Sequence, residues 1–265
     1  MKRVCKNAAP QSLINYISSS PGATWEQMRK KSPETYRECR RNAVRDQNGL
    51  CAYCEQKISI KGLQPCSIEH FRPKSDKSVT NNQALDWKNM LAVCDGGSRS
   101  TVKERVTFPL PANLTCDQSK NRMVQKGKLP AACEGYLLNP LEVPPLINLF
   151  DIDKATGYFK PNTVTCAEVE LSGNAHKTTE ELVENTIYIL NLNCDRLAEK
   201  RKIKVVNDIA KKKEILRKKE MSPEEASSKL VTHYFGTKWP EFFTAVRCCL
   251  GKPAEDYLKS VNFQG

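Results

Sequence analysis

A pair of cysteines two residues apart, in Cys51-Ala52-Tyr53-Cys54, constrains the fold of this chain more than any other sequence feature. Two thiolates at this spacing can fold back onto one soft cation such as Zn²⁺. A redox-active dithiol is the alternative, but such a pair is expected between a strand and a helix of a βαβ unit. Because residues 45–50 are mostly polar and predict no strand, the sequence favours a metal site.

Tetrahedral zinc needs two further ligands, and the cysteines downstream of this pair are the candidates. Cys94 and Cys116 each end a short predicted element and begin a polar turn, which favours them as ligands. Cys66 alternates with Ile68 on a predicted strand, where a buried apolar role is sufficient, and Cys133 is a reserve candidate. The predicted zinc ligands are therefore Cys51, Cys54, Cys94 and Cys116, with Cys66 and Cys133 left open.

Composition limits the compartment and the partners of the chain. Residues 1–7 lead into no apolar segment, and no stretch approaches the ~18 apolar residues of a membrane helix. We therefore expect a cytoplasmic protein without a membrane partner, in which the twelve cysteines stay reduced.

The 42 Lys and Arg residues exceed the 30 Asp and Glu residues, giving a net charge of +12. This surplus is typical of nucleic-acid binding, although a solvated basic surface or an anionic membrane surface are alternatives.

Hydrophobic periodicity predicts a mostly helical α+β chain in three parts. Residues 1–50 form a predicted N-terminal helical segment, 51–130 a core with short β-like runs, and 131–265 a mixed and then helical region. In the C-terminal part, residues 196–219 hold eleven Lys and Arg against three acidic residues. This basic segment could follow a nucleic-acid backbone, face solvent, or dock an acidic partner. Residues 222–225 (Ser-Pro-Glu-Glu) predict the capping box of a new helix.

The strands of the predicted core come from two β-like runs, at 57–60 and 66–71, which we expect to pair as a hairpin around Gly62. Residues 85–93 are predicted to form a short helical patch, and a further helix is predicted to begin near Cys116.

The second run carries an acidic residue beside a histidine, Glu69-His70. Neighbouring side chains on a strand point to opposite faces, but Pro73 favours a strand end at which both can serve one site. Arg72 and Lys74 would then supply cations suited to phosphate. A surface Glu–His pair on an edge strand is the alternative interpretation.

The order of these motifs resembles that of the HNH endonucleases of the zinc-bearing ββα-metal type. His70 matches the first position of their motif, Asn89 upstream of Cys94 matches the second, and Asp117 after Cys116 matches the third. That family usually has His or Asn where this chain has Asp117. It also usually has Asp at the position of Glu69, and many of its members have a far shorter spacing than the 21 residues between Cys94 and Cys116.

The resemblance narrows to the PtuB-type HNH proteins of Septu antiphage systems and of some retron loci, over about residues 45–200. It implies an effector nuclease in an antiphage complex with a PtuA-type ATPase, and in retrons an association with a reverse transcriptase and its msDNA. The motifs that carry it are Cys51-Ala52-Tyr53-Cys54-Glu55, Ile68-Glu69-His70-Phe71-Arg72-Pro73-Lys74, Leu85-Asp86-Trp87-Lys88-Asn89-Met90-Leu91, Cys94-Asp95-Gly96-Gly97-Ser98, Leu138-Asn139-Pro140-Leu141-Glu142 and Thr186-Ile187-Tyr188-Ile189-Leu190-Asn191-Leu192-Asn193.

This resemblance implies hydrolysis of phosphodiester bonds, in DNA by default and in structured RNA such as tRNA as the alternative substrate. We expect neutral His70 to act as general base and Asn89 to orient the loop that follows it. Glu69 and Asp117 are expected to hold one Mg²⁺ or Mn²⁺ ion, which prefers oxygen ligands, while the zinc ion is structural. The expected phosphate contacts are Arg72, Lys74 and Lys120. A non-catalytic, zinc-stabilised adaptor that binds nucleic acid is the alternative function, which the unusual third motif residue leaves open.

Overall fold

The computed structural model describes residues 1–61, 66–74 and 82–265. This part of the chain is mostly helical with two small antiparallel sheets, which confirms the predicted α+β class. The first sheet contains β1 (Ser67–His70) and β2 (Met90–Val93), and the second contains β3 (Phe150–Ile152) and β4 (Phe159–Pro161). The helices are α1 (Gln11–Ser19), α2 (Trp25–Lys31), α3 (Pro33–Asp46), α4 (Val102–Thr107), α5 (Cys116–Gln125), α6 (Thr163–Glu168), α7 (Thr179–Ile189), α8 (Asp195–Arg201), α9 (Asp208–Lys218), α10 (Pro223–Phe235), α11 (Phe243–Leu250) and α12 (Lys252–Ser260).

Strand β1 lies where the sequence predicts a strand, and it pairs with β2, a partner that the sequence did not assign. The register pairs Ser67 with Val93 and His70 with Met90. Among the described residues, the run at 57–60 forms no named strand, but Lys57 bridges to Leu50, and the Cys66 N–H donates to the Ser59 carbonyl (3.1 Å) next to the start of β1. The predicted turn residue Gly62 lies outside the described residues, so the hairpin itself stays a prediction.

The helical patch predicted over 85–93 is wrong in its second half. A single 3₁₀ turn, Trp87–Asn89, leads directly into β2. All four residues of β2 are buried, so the strand reads as one apolar run without the alternation of a half-exposed strand. Periodicity does not distinguish such a run from a buried helical segment.

Helix α3 packs against the first sheet and leads into the loop that precedes the cysteine pair. It begins at Pro33, within the predicted N-terminal helical segment, and it packs against both β1 and β2. Just after its last turn, the buried Gln47 amide donates to the carbonyls of Leu50 (2.8 Å) and Ala92 (2.7 Å). The Gln47 carbonyl oxygen accepts from the Ala92 N–H (2.7 Å). This amide therefore fixes the loop before Cys51 against β2.

The C-terminal half is helical, and the predicted capping box at Ser222 is confirmed: its hydroxyl accepts from the Glu225 N–H, and the Glu225 carboxylate accepts from the Ser222 N–H. A π-helical turn, Lys202–Asn207, joins α8 to α9.

One cluster of buried apolar side chains includes residues from every part of the chain, such as Met28, Leu91 and Phe243. Glu55 adds polar contacts between distant parts of the chain, because its carboxylate accepts from the N–H of Lys2 (2.6 Å) and from the N–H of Thr244 (2.8 Å). No helix within the described ranges combines the length and apolar character needed to cross a bilayer.

Candidate active site and metal centre

Four buried cysteines meet at one point between the sheet and α5. They are the predicted four, Cys51, Cys54, Cys94 and Cys116, and their Sγ atoms all lie within 4.8 Å of one another. Cys94 follows β2 directly, and Cys116 is the first residue of α5. The cluster therefore joins three stretches of chain that are distant in sequence.

The spacing of the sulfur atoms fits a tetrahedral ion. Zn–S bonds of about 2.3 Å place sulfur atoms about 3.8 Å apart at tetrahedral angles. The Sγ separations are 3.8 Å for Cys51–Cys116 and 3.7 Å for both Cys54–Cys94 and Cys94–Cys116. Four thiolates in this arrangement can hold a structural metal such as zinc.

Backbone and side-chain donors also prepare the cluster for thiolates. The Cys94 N–H donates to the Cys51 sulfur (3.3 Å), and the Gly96 N–H donates to the Cys94 sulfur (3.4 Å). Burial opposes ionisation of Cys51, but hydrogen bonds from the other three thiols hold its pKa well below the ordinary value. Charge on this cluster is therefore favoured at one sulfur before any cation binds.

The two remaining candidates are not part of the cluster. Cys66 is buried beside Arg40, whose guanidinium donates to the Cys66 carbonyl (2.7 Å). The Cys133 thiol donates to the Phe71 carbonyl (3.1 Å). Of the four candidates that the sequence left open, the structure brings Cys94 and Cys116 to the cysteine pair, and not Cys66 or Cys133.

A cavity of about 590 Å³ lies beside the cluster and contains the histidine and the acidic residues. Its walls come from β1, from helices α2 and α5, and from the loop after Cys94. The ionisable residues of greatest chemical interest among those that line it are Glu69, His70, Asp117 and Lys120.

His70 is held in one tautomer by its surroundings. Its Nε2 atom lies 3.0 Å from the Ala84 carbonyl oxygen, and since a carbonyl only accepts, Nε2 carries the hydrogen. The Nδ1 atom therefore keeps its lone pair. Burial lowers the pKa of His70 to about 4, so the imidazole is neutral at physiological pH. The edge of the Trp25 ring contacts this imidazole at a centroid distance of 4.7 Å.

Asn89 braces the loop that follows His70. Its side-chain oxygen accepts from the Arg72 N–H (2.7 Å), while its amide donates to the carbonyls of Arg72 (3.1 Å) and Gln83 (2.9 Å). The residue is only 4% exposed and does not line the cavity. Its contacts are those expected of a residue that positions His70 rather than one that touches substrate.

Asp117 and Glu69 are close enough to influence each other. Burial, and then the negative charges of Glu69 and Cys51, raise the pKa of Asp117 to about 7. Its Oδ1 atom is buried and has no hydrogen-bond partner among the described residues. A cation beside this carboxylate would relieve both the repulsion and the unmet hydrogen-bonding capacity.

Comparison with known proteins places the chain in a family. An Escherichia coli protein named "Retron Ec83 putative HNH endonuclease" is 36% identical to it over 205 residues, which cover 76% of this chain and 78% of that protein. The chain belongs to the HNH endonuclease family. A Vibrio cholerae (serotype O1 biovar El Tor) protein named "Retron Vc95 putative HNH endonuclease" is 30% identical over 77 residues, or 27% of this chain and 36% of that protein. No family model matches the sequence.

The three residues expected to contact phosphate in this HNH protein all have partners within the chain. Lys120 is buried, and its ammonium donates to the Glu69 carboxylate (2.8 Å) and to the Phe71 carbonyl (2.7 Å). Arg72 pairs with Glu134, and Lys74 pairs with Glu26. All three expected contacts line the cavity, but none is a free cation in this structure, and Lys120 supports β1 instead.

The residues present fit a divalent cation in part. Asp117 offers the unpartnered Oδ1, whereas Lys120 already contacts Oε1 of Glu69, so that a cation would have to use the other Glu69 oxygen. Within the described ranges, the four cysteines are the one cluster of three or more His, Cys, Asp or Glu ligand atoms. The oxygen site is therefore a pair of carboxylates, which leaves most of the coordination shell to substrate and water.

Three neighbours of this site were not predicted from the sequence. Trp25 and Arg29 of α2 form one wall of the cavity. Tyr53, inside the cysteine pair, buries a hydroxyl that has no hydrogen-bond partner among the described residues. Burial and the nearby charge of Glu69 raise the pKa of Tyr53 well above its ordinary value. The only available signal was the placement of Tyr53 between two predicted ligands.

Proposed function

We propose that this protein is a metal-dependent HNH endonuclease that hydrolyses phosphodiester bonds, with His70 as its general base. The observation that carries the proposal is a neutral, oriented imidazole that shares one cavity with Glu69 and Asp117 in a chain of the HNH family. Two antiparallel strands and a helix that starts at a zinc ligand support the ββα-metal arrangement.

His70 is suited to accept a proton from water through Nδ1, because Nε2 is occupied by the Ala84 carbonyl. Asn89 fixes the backbone after His70 and so acts as a positioning residue. Glu69 and Asp117 would hold Mg²⁺ or Mn²⁺, and such an ion, when bound, supplies positive charge for the transition state of phosphoryl transfer. The four cysteines would hold zinc with no open coordination position, which gives that ion a structural role.

We further propose that the nuclease works in the cytoplasm as the effector of a retron-type antiphage complex with an ATPase partner. The names of the two relatives, both assigned to retrons, support the retron setting. The resemblance to PtuB-type proteins supports the ATPase partner. Co-purification with the products of neighbouring genes tests this part, and recovery of the nuclease alone from cells that express the whole operon would contradict it.

Nuclease activity is tested with end-labelled DNA and RNA, with Mg²⁺, with Mn²⁺ and with EDTA. We expect divalent-dependent cleavage by the wild-type complex and its loss in His70→Ala and in Asp117→Ala, with nucleic-acid binding retained. His233→Ala is the matched control, because His233 is an exposed histidine on α10 that does not line the cavity. Binding without cleavage by the wild-type complex would instead establish the adaptor function, and equal cleavage by the His70 and His233 variants would remove His70 as the base.

A further inference from the structure

A second cavity adjoins the active-site cavity across the loop that follows Cys94. It has a volume of about 290 Å³ and shares two lining residues, Asp95 and Arg99, with the active-site cavity. Its remaining walls include Lys57, Arg196 and Lys200. None of these last three residues belongs to the proposed catalytic machinery.

The inner wall of this cavity is a buried arginine without an acidic partner. Arg196 is 5% exposed, and its guanidinium donates only to neutral oxygens, those of Gln56 (3.2 Å) and Thr115 (3.3 Å). Its Nε atom has no hydrogen-bond partner, and no carboxylate pairs with it in the parts of the chain that the structure describes. The cysteine cluster lies one hydrogen bond further on, since the Thr115 hydroxyl also donates to the Cys116 sulfur (3.4 Å) and Gln56 accepts from Cys54 (3.8 Å). The buried Nε–H still lacks an acceptor, so the guanidinium keeps hydrogen-bonding capacity for a further anion.

Loop geometry fixes this arginine in place. Gly97 has a φ of +86°, and a Cβ at this position would lie 2.9 Å from Nη2 of Arg196. The backbone of the loop therefore lies directly against the guanidinium, and the two together form one rigid wall. A site on a rigid wall needs little reorganisation when a ligand binds.

The other charges around the cavity leave it positive. Asp95 accepts from the N–H groups of Gly97 (3.1 Å) and Arg99 (3.2 Å), and Glu104 accepts from the N–H of Thr101 (3.0 Å). Asp95 thus holds the loop, whereas Glu104 caps the first turn of α4, where the Thr101 N–H and then the positive charges of Lys200 and Arg196 help to lower its pKa. Lys57 and Arg99 are exposed, Lys200 is half-buried, and none of the three has an ion-pair partner within the described ranges.

The position of the cavity indicates which anion it takes. Arg99 links it to the active-site cavity, and Lys200 belongs to the basic segment 196–219 on α8 and α9. Further along that segment, Lys202, Lys211 and Lys213 are exposed and have no ion-pair partner within the described ranges. A cavity that shares one lining arginine with the active-site cavity and takes another cation from a long basic segment matches a backbone phosphate of a nucleic-acid strand rather than a single small anion.

We propose that the Arg196 cavity binds a backbone phosphate of the nucleic-acid substrate, at a position away from the cleaved bond. The strand would run from the active-site cavity past Arg99, into the Arg196 cavity, and onward along the basic segment. This inference rests on the proposed nuclease function for the direction of the strand, but the binding itself does not require cleavage.

The test measures binding with cleavage switched off. Lys57→Glu and Lys200→Glu are made in the full-length His70→Ala protein, and Lys229→Glu is the matched control, since Lys229 is an exposed lysine of α10 that lines neither cavity. Fluorescence anisotropy with fluorescein-labelled duplex DNA, single-stranded DNA and an RNA hairpin is recorded without added Mg²⁺ or Mn²⁺, so that the structural zinc is retained, over a range of KCl concentrations. We expect each cavity variant to bind more weakly and to lower the salt slope, log Kobs against log[KCl], by about 1.

Arg196→Gln should give a comparable or larger loss of affinity, and its zinc content and thermal midpoint show whether it has folded. If it does not fold, the variants at the exposed Lys57 and the half-buried Lys200 decide the matter. Equal affinity and equal salt slope for these two variants and the Lys229 control would overturn the proposal, and so would the absence of binding to all three probes.

Failure of this proposal is distinguishable from failure of the nuclease function. If cleavage requires His70 but the Lys57 and Lys200 variants bind with unchanged affinity, the proposed strand path is overturned and the proposed nuclease function stands. Binding that depends on both lysines in a wild-type complex that cleaves nothing would retain the phosphate site and overturn the nuclease. A preference among the three probes identifies the kind of nucleic acid that the site takes.

Discussion

Replacing Asn89 with alanine should destabilise the protein by about 3 kcal/mol. The side chain makes three hydrogen bonds, two to Arg72 and one to Gln83, and it is 4% exposed. A typical buried hydrogen bond contributes about 1 kcal/mol net, and the stranded backbone groups add to the loss where water cannot reach them. Lys88→Ala, at the exposed neighbouring position, should change the stability by less than about 0.5 kcal/mol.

The free energy of unfolding is obtained from urea titrations followed by circular dichroism, with zinc present in the buffer. Since Asn89 holds the backbone that follows His70, the alanine variant should also lose cleavage activity at temperatures where it remains folded. The reasoning would be refuted if Asn89→Ala matched Lys88→Ala in stability. Full activity in a destabilised Asn89→Ala protein would refute the positioning role alone.

Three further predictions concern the metal centre, His70 and the cysteine loop. Metal-free protein, or Cys116→Ser, should lose zinc and much of its thermal stability, because a structural zinc contributes about 10 kcal/mol; full stability after chelation would contradict this. The pKa of His70 is about 4 in the folded protein and 6.5 ordinarily, and this difference contributes about 3 kcal/mol to the free energy of unfolding at neutral pH. As the pH falls, His70 is protonated in the unfolded chain before it is protonated in the folded one. This contribution to stability is therefore complete above pH 6.5 and is lost as the pH falls towards 4. His70→Gln should remove it from the pH dependence of the free energy of unfolding, measured by urea titrations across that range. Gly96→Ala should cost about 2 kcal/mol more than an alanine at an open glycine with positive φ, because its Cβ would lie 2.4 Å from the Thr115 carbonyl oxygen. The matched controls, of the same residue type but outside these sites, are Cys166→Ser, His233→Gln and Gly127→Ala.

The metal cluster could be predicted because its signal is local. Cysteine pairs in polar turns have few uses other than metal binding in a reducing compartment, and Cys94 and Cys116 both lie at the ends of elements. The helix start at Ser222 was predictable for the same reason, since capping depends on residues within one turn.

Features that depend on long-range packing could not be predicted. Strand β1 forms its ladder with a fully apolar strand whose pattern is compatible with a helix, so this partner was not assigned from the sequence. The Trp25 contact with His70 joins residues that belong to different elements, and no spacing rule relates them. The Lys120 ammonium was expected to face phosphate because lysine is usually exposed, whereas Glu69 and two carbonyls hold it inside.

The shared cavity of His70 and Asp117 was anticipated only through the family resemblance. On a bare strand, Glu69 and His70 would face opposite sides, and nothing in the residues indicates that α5 brings Asp117 to the same place. The buried, unpaired Arg196 was hidden in a run of basic residues, where composition cannot tell a solvated charge from a buried one.

The Glu55 carboxylate limits how far this chain can be shortened. It follows the cysteine pair directly, yet it binds the backbone near the N-terminal end of the chain at Lys2 and the first turn of α11 at Thr244. A minimal nuclease cut down to residues 51–130 would leave this buried acid without its donors and the cysteine loop without its supports. Engineering of a compact variant should therefore shorten internal loops and keep both ends of the chain.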